Sequence, residues 1–166
     1  NGGGITSSGT LTMTGGSLTD NRASGNGGGI CLSGGNFNLT GGAIAKNTAK
    51  NGNGVYHNGT TFQLGGNGAV DSENDVYLQT NKYITVSSAL KASPAAVLTP
   101  SGYSNGRKAA EVAYGSKKGS MQYMQFALKP NGGYCLRPGD LQDSGAKTKT
   151  ADIVLSTKYM IQYDKN

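Results

Sequence analysis

One glycine-rich pentapeptide recurs along this chain at a spacing of 25 residues. The sequence NGGGI occupies residues 1–5 and again residues 26–30, and a looser copy, NGNGV, occupies residues 51–55. A fixed period of this length is typical of a solenoid, in which a repeat buries its apolar face only against stacked neighbours. The repeat therefore constrains the fold more than any single residue does.

The segments between the copies repeat as well. GTLTMTGGSLTDNRA (9–23) aligns with GNFNLTGGAIAKNTA (35–49) and, more weakly, with GTTFQLGGNGAVDSE (59–73). Apolar residues occupy matching positions in these units and alternate with polar ones, as Leu11 and Met13 alternate with threonines. An apolar period of two predicts β-strands rather than helices.

These patterns together predict an all-β fold. We expect a right-handed parallel β-helix with coils of about 25 residues over residues 1–98, followed by a β-rich C-terminal cap or assembly region over residues 99–166. Stacked coils lie about 4.8 Å apart, so equivalent residues form ladders along the axis. The predicted core ladders are Ile5, Ile30 and Val55, and Met13, Leu39 and Leu64.

The glycine runs are interpreted as corners between strands, where a positive φ has little steric cost. A phosphate-binding loop is the alternative, but that loop requires a following helix and usually a lysine. Asn21 and Asn47 each lie three residues after an inward aliphatic residue, Leu18 or Ile44. We expect the two asparagines to stack as a ladder that exchanges side-chain amides at a turn.

The pattern changes after the third unit. Residues 121–139 predict two strands joined by a Pro-Asn-Gly-Gly turn, which is a hairpin. A short strand or helix is expected at 109–113, and a last strand pair at 153–155 and 159–163. Such a module is well placed to cover the exposed edge at the end of a solenoid.

The net charge of +6 is concentrated in the second half of the chain. Residues 1–78 contain three basic and four acidic side chains, whereas residues 79–166 contain twelve and five. A basic half favours an anionic glycan or cell surface as partner, although dispersed lysines that serve solubility are the plainer interpretation. Nucleic acid is not expected because aromatic residues do not alternate with the basic ones. No apolar run is long enough to span a membrane.

Two cysteines, Cys31 and Cys135, leave two alternatives open. In an exported protein one disulfide would clamp the tail onto the coils, whereas two free or buried thiols fit the sequence equally well. Because Cys31 follows the inward Ile30, its side chain is expected to point outward, between Thr6 and Tyr56 of the adjacent coils.

Candidate catalytic or metal-binding groups are sparse. The acids Asp71, Glu73 and Asp75 are a weak candidate for a calcium corner, with a solvated turn as the favoured interpretation. His57, the single histidine, is expected beside Tyr56 on an outer face, without a catalytic role. Polysaccharide lyases and hydrolases share this fold but require a charged constellation on one face, so we expect neither an enzyme nor a cofactor. A threonine ladder of the ice-binding kind is broken after the first coil.

The GGxI units with trailing NxA, followed by NDVYL, ITV and FALKPNGGYCL, resemble known proteins. They are similar to the β-helix repeat proteins of bacterial surfaces, notably polymorphic outer-membrane proteins and adhesins. The resemblance implies a solenoid of the pectate-lyase type without the lyase site, in an exported, non-catalytic surface or matrix protein.

The expected function is accordingly that of an extracellular or cell-surface structural or adhesive protein. The chain begins inside a repeat, so we expect either a fragment whose missing coils cap it or head-to-tail assembly into a fibre or surface layer. The predicted assembly edge comprises Ile5, Leu11, Met13 and Leu18 on one copy and Tyr159, Ile161 and Tyr163 on the next. The alternatives are a polysaccharide-degrading enzyme fragment or a glycan-binding module that uses exposed tyrosines. The candidate tyrosines are Tyr56, Tyr103, Tyr114 and Tyr123.

Overall fold

A computed structural model describes residues 2–112, 124–129, 133–143 and 149–157. Strands make up 53% of this part of the chain and helix only 2%, so the fold is all-β. The strands are β1 (Ile5–Ser7), β2 (Leu11–Thr19), β3 (Ile30–Leu32), β4 (Asn36–Ala45), β5 (Val55–His57), β6 (Thr61–Leu64), β7 (Ala69–Val70), β8 (Asp75–Leu78), β9 (Ile84–Val86), β10 (Ala96–Pro100), β11 (Lys108–Val112), β12 (Phe126–Leu128), β13 (Tyr134–Asp143) and β14 (Lys149–Thr157).

Two sheets run along the stack. The first has six strands in the order β1-β3-β5-β8-β10-β12, and every pairing in it is parallel. The second has eight strands, in the order β13-β14-β11-β9-β6-β4-β2 with β7 beside β4. Because each coil contributes in turn to both sheets, the architecture is a β-solenoid of about four turns. The all-β solenoid predicted from the repeat is therefore confirmed.

The core lies between the two sheets and consists of aliphatic rows. The register in each sheet places like residues in consecutive coils, and most interior members have no exposed surface. Removing one such side chain from water contributes about 1.5–3 kcal/mol. Two of the rows are Ile5, Ile30, Val55 and Val76 in the first sheet, and Met13, Leu39, Leu64 and Val86 in the second.

The glycine runs are corners, as the sequence predicts. Gly27 and Gly52 hold equivalent positions with φ of 66° and 67°, in the left-handed region that favours glycine. A Cβ on Gly29 would lie 2.7 Å from the carbonyl oxygen of Gly54 in the next coil. Glycine is thus required both for the turn and for the close approach of stacked backbones.

The end of the stack differs from the sequence prediction. Parallel pairing continues past residue 98, because β11 pairs with β9 and β12 pairs with β10. The hairpin is not formed by β12 and β13 around the Pro-Asn-Gly-Gly segment; it is formed by β13 and β14, which pair antiparallel. β12 instead continues the first sheet, since its Phe126 and Leu128 align with Ala96 and Leu98.

The hairpin covers one edge of the second sheet. β14 pairs antiparallel with β11, which would otherwise be the last parallel strand on that side. Ile153 and Leu155 on β14 are buried in the core. The hairpin thus satisfies the backbone groups of an edge that would otherwise be open to pairing with another chain. The prediction of a strand at 159–163 lies outside the described residues.

Candidate functional site

Three loops lie side by side on one flank of the solenoid. Each leads from a strand of the first sheet to a strand of the second: residues 58–60 after β5, residues 79–83 after β8 and residues 101–107 after β10. The loops are neighbours because the strands that they join are stacked. Two adjoining cavities lie among them, and we refer to the pair as the loop cleft.

The outer cavity of the loop cleft has a volume of about 420 Å³, and the inner one about 70 Å³. Asn81 and Tyr83 line both, so the two cavities are neighbours that share part of their wall. The outer cavity is lined by Thr80, Asn81, Tyr83, Ser104, Arg107 and Lys108. The inner cavity is lined by His57, Thr60, Thr61, Asn81, Lys82, Tyr83 and Thr85.

Asn81 has a strained backbone at the junction of the two cavities. Its φ is 61°, a left-handed conformation that asparagine tolerates better than most residues. The turn is closed by a hydrogen bond of 2.9 Å from the Lys82 backbone N–H to the carbonyl of Gln79. This conformation leaves the Asn81 side chain exposed, with a donor and an acceptor at the mouth of both cavities.

Arg107 links two of the loops through hydrogen bonds. Its Nη2 donates to the carbonyls of Leu78 (3.1 Å) and Gln79 (3.0 Å), and its Nη1 donates to that of Gly102. Burial lowers the pKa of Arg107, while the nearby Tyr77 and Tyr103 act in the opposite direction. Among the described residues no carboxylate pairs with it, so the guanidinium adds positive charge to the wall of the cleft.

Lys108 is a fixed cation beneath the aromatic wall. Its ammonium lies 2.9 Å from carboxylate oxygens of both Glu111 and Asp152, and 4.6 Å from the centre of the Tyr83 ring. Burial alone would lower the pKa of Lys108, but its interactions with Glu111 and Asp152 outweigh burial and raise it. Since Asp152 belongs to β14, the terminal hairpin helps to position the Tyr83 ring.

Lys82 is the remaining cation of the loop cleft. Its ammonium forms no ion pair with any residue that the structure describes. It lies near enough to His57 to disfavour protonation of the imidazole. Lys82 and Arg107 are therefore the two positive charges in the cleft that no carboxylate matches.

His57 faces inward, which corrects the prediction that it decorates an outer face. It is 1% exposed and stands in register between Leu32 and Leu78, with its ring 5.9 Å from that of Phe62 in an edge-on contact. Burial, assisted by Lys82, lowers the pKa of His57 to about 4, and a hydrogen bond to the Tyr83 backbone only partly offsets this. Its Nδ1 has no hydrogen-bond partner.

Tyr56 points outward in the strand register but is only 8% exposed, so the prediction of an exposed tyrosine at this position is wrong. Its ring stacks on Tyr77 of the next coil, with 5.5 Å between centres and 10° between planes, and its hydroxyl accepts a hydrogen bond from Gln79. Tyr103 is half-buried, and its ring lies 5.7 Å from that of Tyr134. The other two candidates, at 114 and 123, lie outside the described residues.

The asparagine ladder is present and has one member more than the sequence analysis found. Asn47 Oδ1 accepts from the backbone N–H of Asn21 (2.9 Å) and from its side-chain amide (3.0 Å). Asn74 Oδ1 accepts from the same two groups of Asn47, at 2.9 and 3.1 Å. The repeat alignment missed Asn74 because the step to it is 27 residues rather than 26.

The three acids of the suggested calcium corner do not converge. Asp71 Oδ1 accepts from the Glu73 backbone N–H within a turn (3.0 Å). Asp75 is buried at the start of β8, where its Oδ1 accepts from the Asn53 N–H (2.9 Å) and its Oδ2 lies 3.9 Å from the Lys129 ammonium. Within the described residues no group of three or more His, Cys, Asp or Glu side chains is placed to hold a metal ion.

Both cysteines are free thiols, so the disulfide alternative is not realised. Cys31 stands in register between Thr6 and Tyr56, as the sequence predicts, but it is buried. Cys135 lies on β13, with its Sγ 3.6 Å from the carbonyl of Ser156. β4, the strand that follows Cys31, is five strand steps from β13 in the second sheet. Five steps span about 24 Å, far beyond the reach of a disulfide.

The structure describes only some of the residues of the predicted assembly edge. Ile5, Leu11, Met13 and Leu18 lie half-buried on β1 and β2, the outermost strands of the two sheets as described. Tyr159, Ile161 and Tyr163, the predicted docking residues of a second copy, lie outside the described residues. Docking of one copy on another through this edge stays a prediction.

Comparison with known proteins finds no match for this chain. No protein-family model matches the chain, and neither a curated protein nor a solved structure matches it. Across the described residues, no helix has the length and apolar character needed to cross a membrane.

Proposed function

We propose that this protein is a non-catalytic adhesive β-solenoid that acts outside the cell and binds anionic glycans in the loop cleft. The observation that carries the proposal is the cleft itself, in which an aromatic ring, an exposed amide and two unmatched cations line two adjoining cavities. These groups are positioned by the stacked coils, so the cleft is formed before a ligand arrives.

The chemistry of the lining suits a sugar. Tyr83 offers an aromatic face, Asn81 offers a donor and an acceptor for hydroxyl groups, and Lys82 and Arg107 favour a carboxylate or sulfate substituent. The outer volume of about 420 Å³ lies within the range of small-molecule sites. A polyanion without sugar rings would use the cations alone, whereas a glycan uses all four side chains.

The same lining argues for binding rather than turnover. Most glycoside hydrolases use a pair of Asp or Glu residues that flank the scissile bond. The described residues lining both cavities are Thr, Ser, Asn, Tyr, His, Lys and Arg. Glu111 and Asp152, which contact the lining residue Lys108, are both engaged by its ammonium.

Action at a bacterial surface is supported by the sequence resemblance of the repeats to β-helix surface proteins. The outward positions are consistent with this, because exposed Thr, Ser and Asn side chains recur on the flanks of the coils. We assign the protein to that broad class of exported structural and adhesive proteins as part of the same proposal.

Calorimetric titration of the whole protein with an acidic oligosaccharide, such as an oligogalacturonate, tests the proposal. We expect saturable binding that weakens as salt is raised, because part of the attraction is between charges. Lys82→Gln should weaken binding about threefold to fivefold, whereas Lys91→Gln, which removes an exposed lysine outside the cleft lining, should leave it unchanged.

Two results would count against this function. Absence of binding to acidic and neutral oligosaccharides alike would remove the glycan assignment. Release of new reducing or unsaturated ends during incubation would replace the binding module with an enzyme.

A further inference from the structure

We infer that the inner cavity of the loop cleft is a hydroxyl-recognition subsite, in which Nδ1 of His57 accepts a hydrogen bond from a free hydroxyl group of the bound sugar. The inference rests on the proposed function and specifies its ligand. The glycan must present an acidic group to the outer cavity and an unsubstituted hydroxyl to the inner one.

The position of His57 in its row is the first argument. The register places it between Leu32 of the preceding coil and Leu78 of the following coil. Both leucines are fully buried, and the row faces the core beside Phe62. Leucine is therefore the residue that packing alone would favour, and an imidazole at this position brings a polar group that packing does not use.

The hydrogen bonding of the ring is the second argument. The imidazole is bonded to the Tyr83 backbone in a way that raises its pKa, so the ring donates in that bond. Since Nδ1 has no partner, the donor is Nε2. The ring is neutral near pH 7, and Nδ1 is then a lone-pair acceptor that only a donor can satisfy.

The size of the cavity is the third argument. Its 70 Å³ accommodates a hydroxyl group or one or two waters, since each water occupies about 30 Å³ in the liquid. The larger cavity next to it accommodates the sugar ring. Asn81 and Tyr83 line both cavities, so a ring in the outer one lies next to the inner one.

The chemistry of an acceptor gives the subsite its selectivity. Ionised carboxylates and sulfates carry no proton to donate, so they gain nothing from Nδ1. Arg107 in the wall of the outer cavity attracts an acidic group, whereas Nδ1 of His57 in the inner cavity favours only a hydroxyl. The two side chains thus distinguish a hydroxylated acidic sugar from a simple polyanion or from a sugar whose hydroxyls are acylated.

The test compares two probes on two variants of the whole protein. The probes are an oligogalacturonate and the same oligomer after O-acetylation, titrated by calorimetry at pH 7. His57→Leu supplies the residue that the neighbouring coils use, so it should fold with an unchanged circular dichroism spectrum. His57→Gln restores a side-chain acceptor and should recover part of the affinity.

We expect His57→Leu to bind the unmodified oligomer about tenfold more weakly, and to bind the acetylated oligomer as the wild type does. Equal affinity of wild type and His57→Leu for the unmodified oligomer would overturn the inference while leaving glycan binding intact. Failure of the wild type to bind either probe would remove the proposed function and the subsite with it.

Discussion

The side-chain amide of Asn47 links three coils of the solenoid. Its Nδ2 donates to Oδ1 of Asn74 in the next coil (3.1 Å) and to the carbonyl of Leu18 in the preceding one (2.8 Å). Its Oδ1 accepts from Asn21 as well. One buried side chain therefore satisfies polar groups at the corner where β2 and β4 end.

Asn47→Ala should lower the free energy of unfolding by about 3 kcal/mol, because it leaves the Asn21 N–H and the Leu18 carbonyl without their partner. Urea denaturation followed by circular dichroism measures the change. Asn67→Ala removes an exposed asparagine in the same solenoid and should change stability by less than about 0.5 kcal/mol. Equal effects of the two substitutions would contradict the role of the ladder.

Gly29→Ala should be strongly destabilising, by more than about 2 kcal/mol, because the added Cβ would lie 2.7 Å from the Gly54 carbonyl oxygen. The backbone of the neighbouring coil would have to move. Gly15→Ala is the matched control, since no atom lies within 4 Å of a Cβ at that position. Thermal unfolding of both variants should separate them clearly, and a stable Gly29→Ala protein would refute the close stacking of corners.

Lys108→Met should destabilise the terminal hairpin, because it leaves Glu111 on β11 and Asp152 on β14 close together without their shared cation. We expect a loss of about 1–3 kcal/mol, and faster amide hydrogen exchange in 149–157 than in the coils. Lys129→Met removes a longer, more exposed pair with Asp75 and should cost less than about 1 kcal/mol. Unchanged exchange in β14 of Lys108→Met would contradict this arrangement.

His57 should make stability depend on pH. Its pKa is lowered from 6.5 to about 4 in the folded protein, so between these values the unfolded chain binds more protons and stability falls as the pH falls. Above about pH 6.5 the residue contributes no pH dependence. The loss between pH 6.5 and 4 is about 3 kcal/mol.

The control for this prediction is His57→Leu, which lacks the titrating group while carboxylates still titrate in both proteins. The difference in unfolding free energy between wild type and variant, measured by urea denaturation at several pH values, isolates the histidine. A difference that stays constant from pH 7 to pH 4 would show that the imidazole is not buried as described.

The fold could be predicted because the repeat itself shows which residues of consecutive coils align. Once Ile5 and Ile30 are recognised as equivalents, the pleat assigns every neighbour to the inside or the outside. The sequence shows that the pattern changes after the third unit but does not show how the coils align beyond it. His57 follows the inward Val55 by two residues and aligns with Leu32, so the alternation already places it in the core, and the prediction of an outer face was wrong. From Val55 to Val76, by contrast, the step falls to 21 residues, which the 25-residue repeat does not predict.

The loop cleft could not be predicted from the sequence, because much of it is formed by residues that follow the three recognisable repeat units. Tyr83 and Lys108 meet because β11 pairs with β9 at a step of 26 residues, but the segment around them lacks the Gly-Gly corners that mark the earlier coils. Asp152 contacts Lys108 because β14 pairs antiparallel with β11. No local sequence pattern identified these two strands as partners. The contacts that shape the cleft thus depend on pairings that lie outside the repeat.

Mapping of backbone amide shifts by NMR during titration with an oligogalacturonate tests the central claim most directly. If the loop cleft is a glycan-binding site, the largest shifts will occur at Asn81, Lys82 and Tyr83, with smaller ones in 58–61 and 104–108, and will saturate with a single affinity. Shifts confined to other faces of the solenoid, or none at millimolar oligosaccharide, would contradict the account.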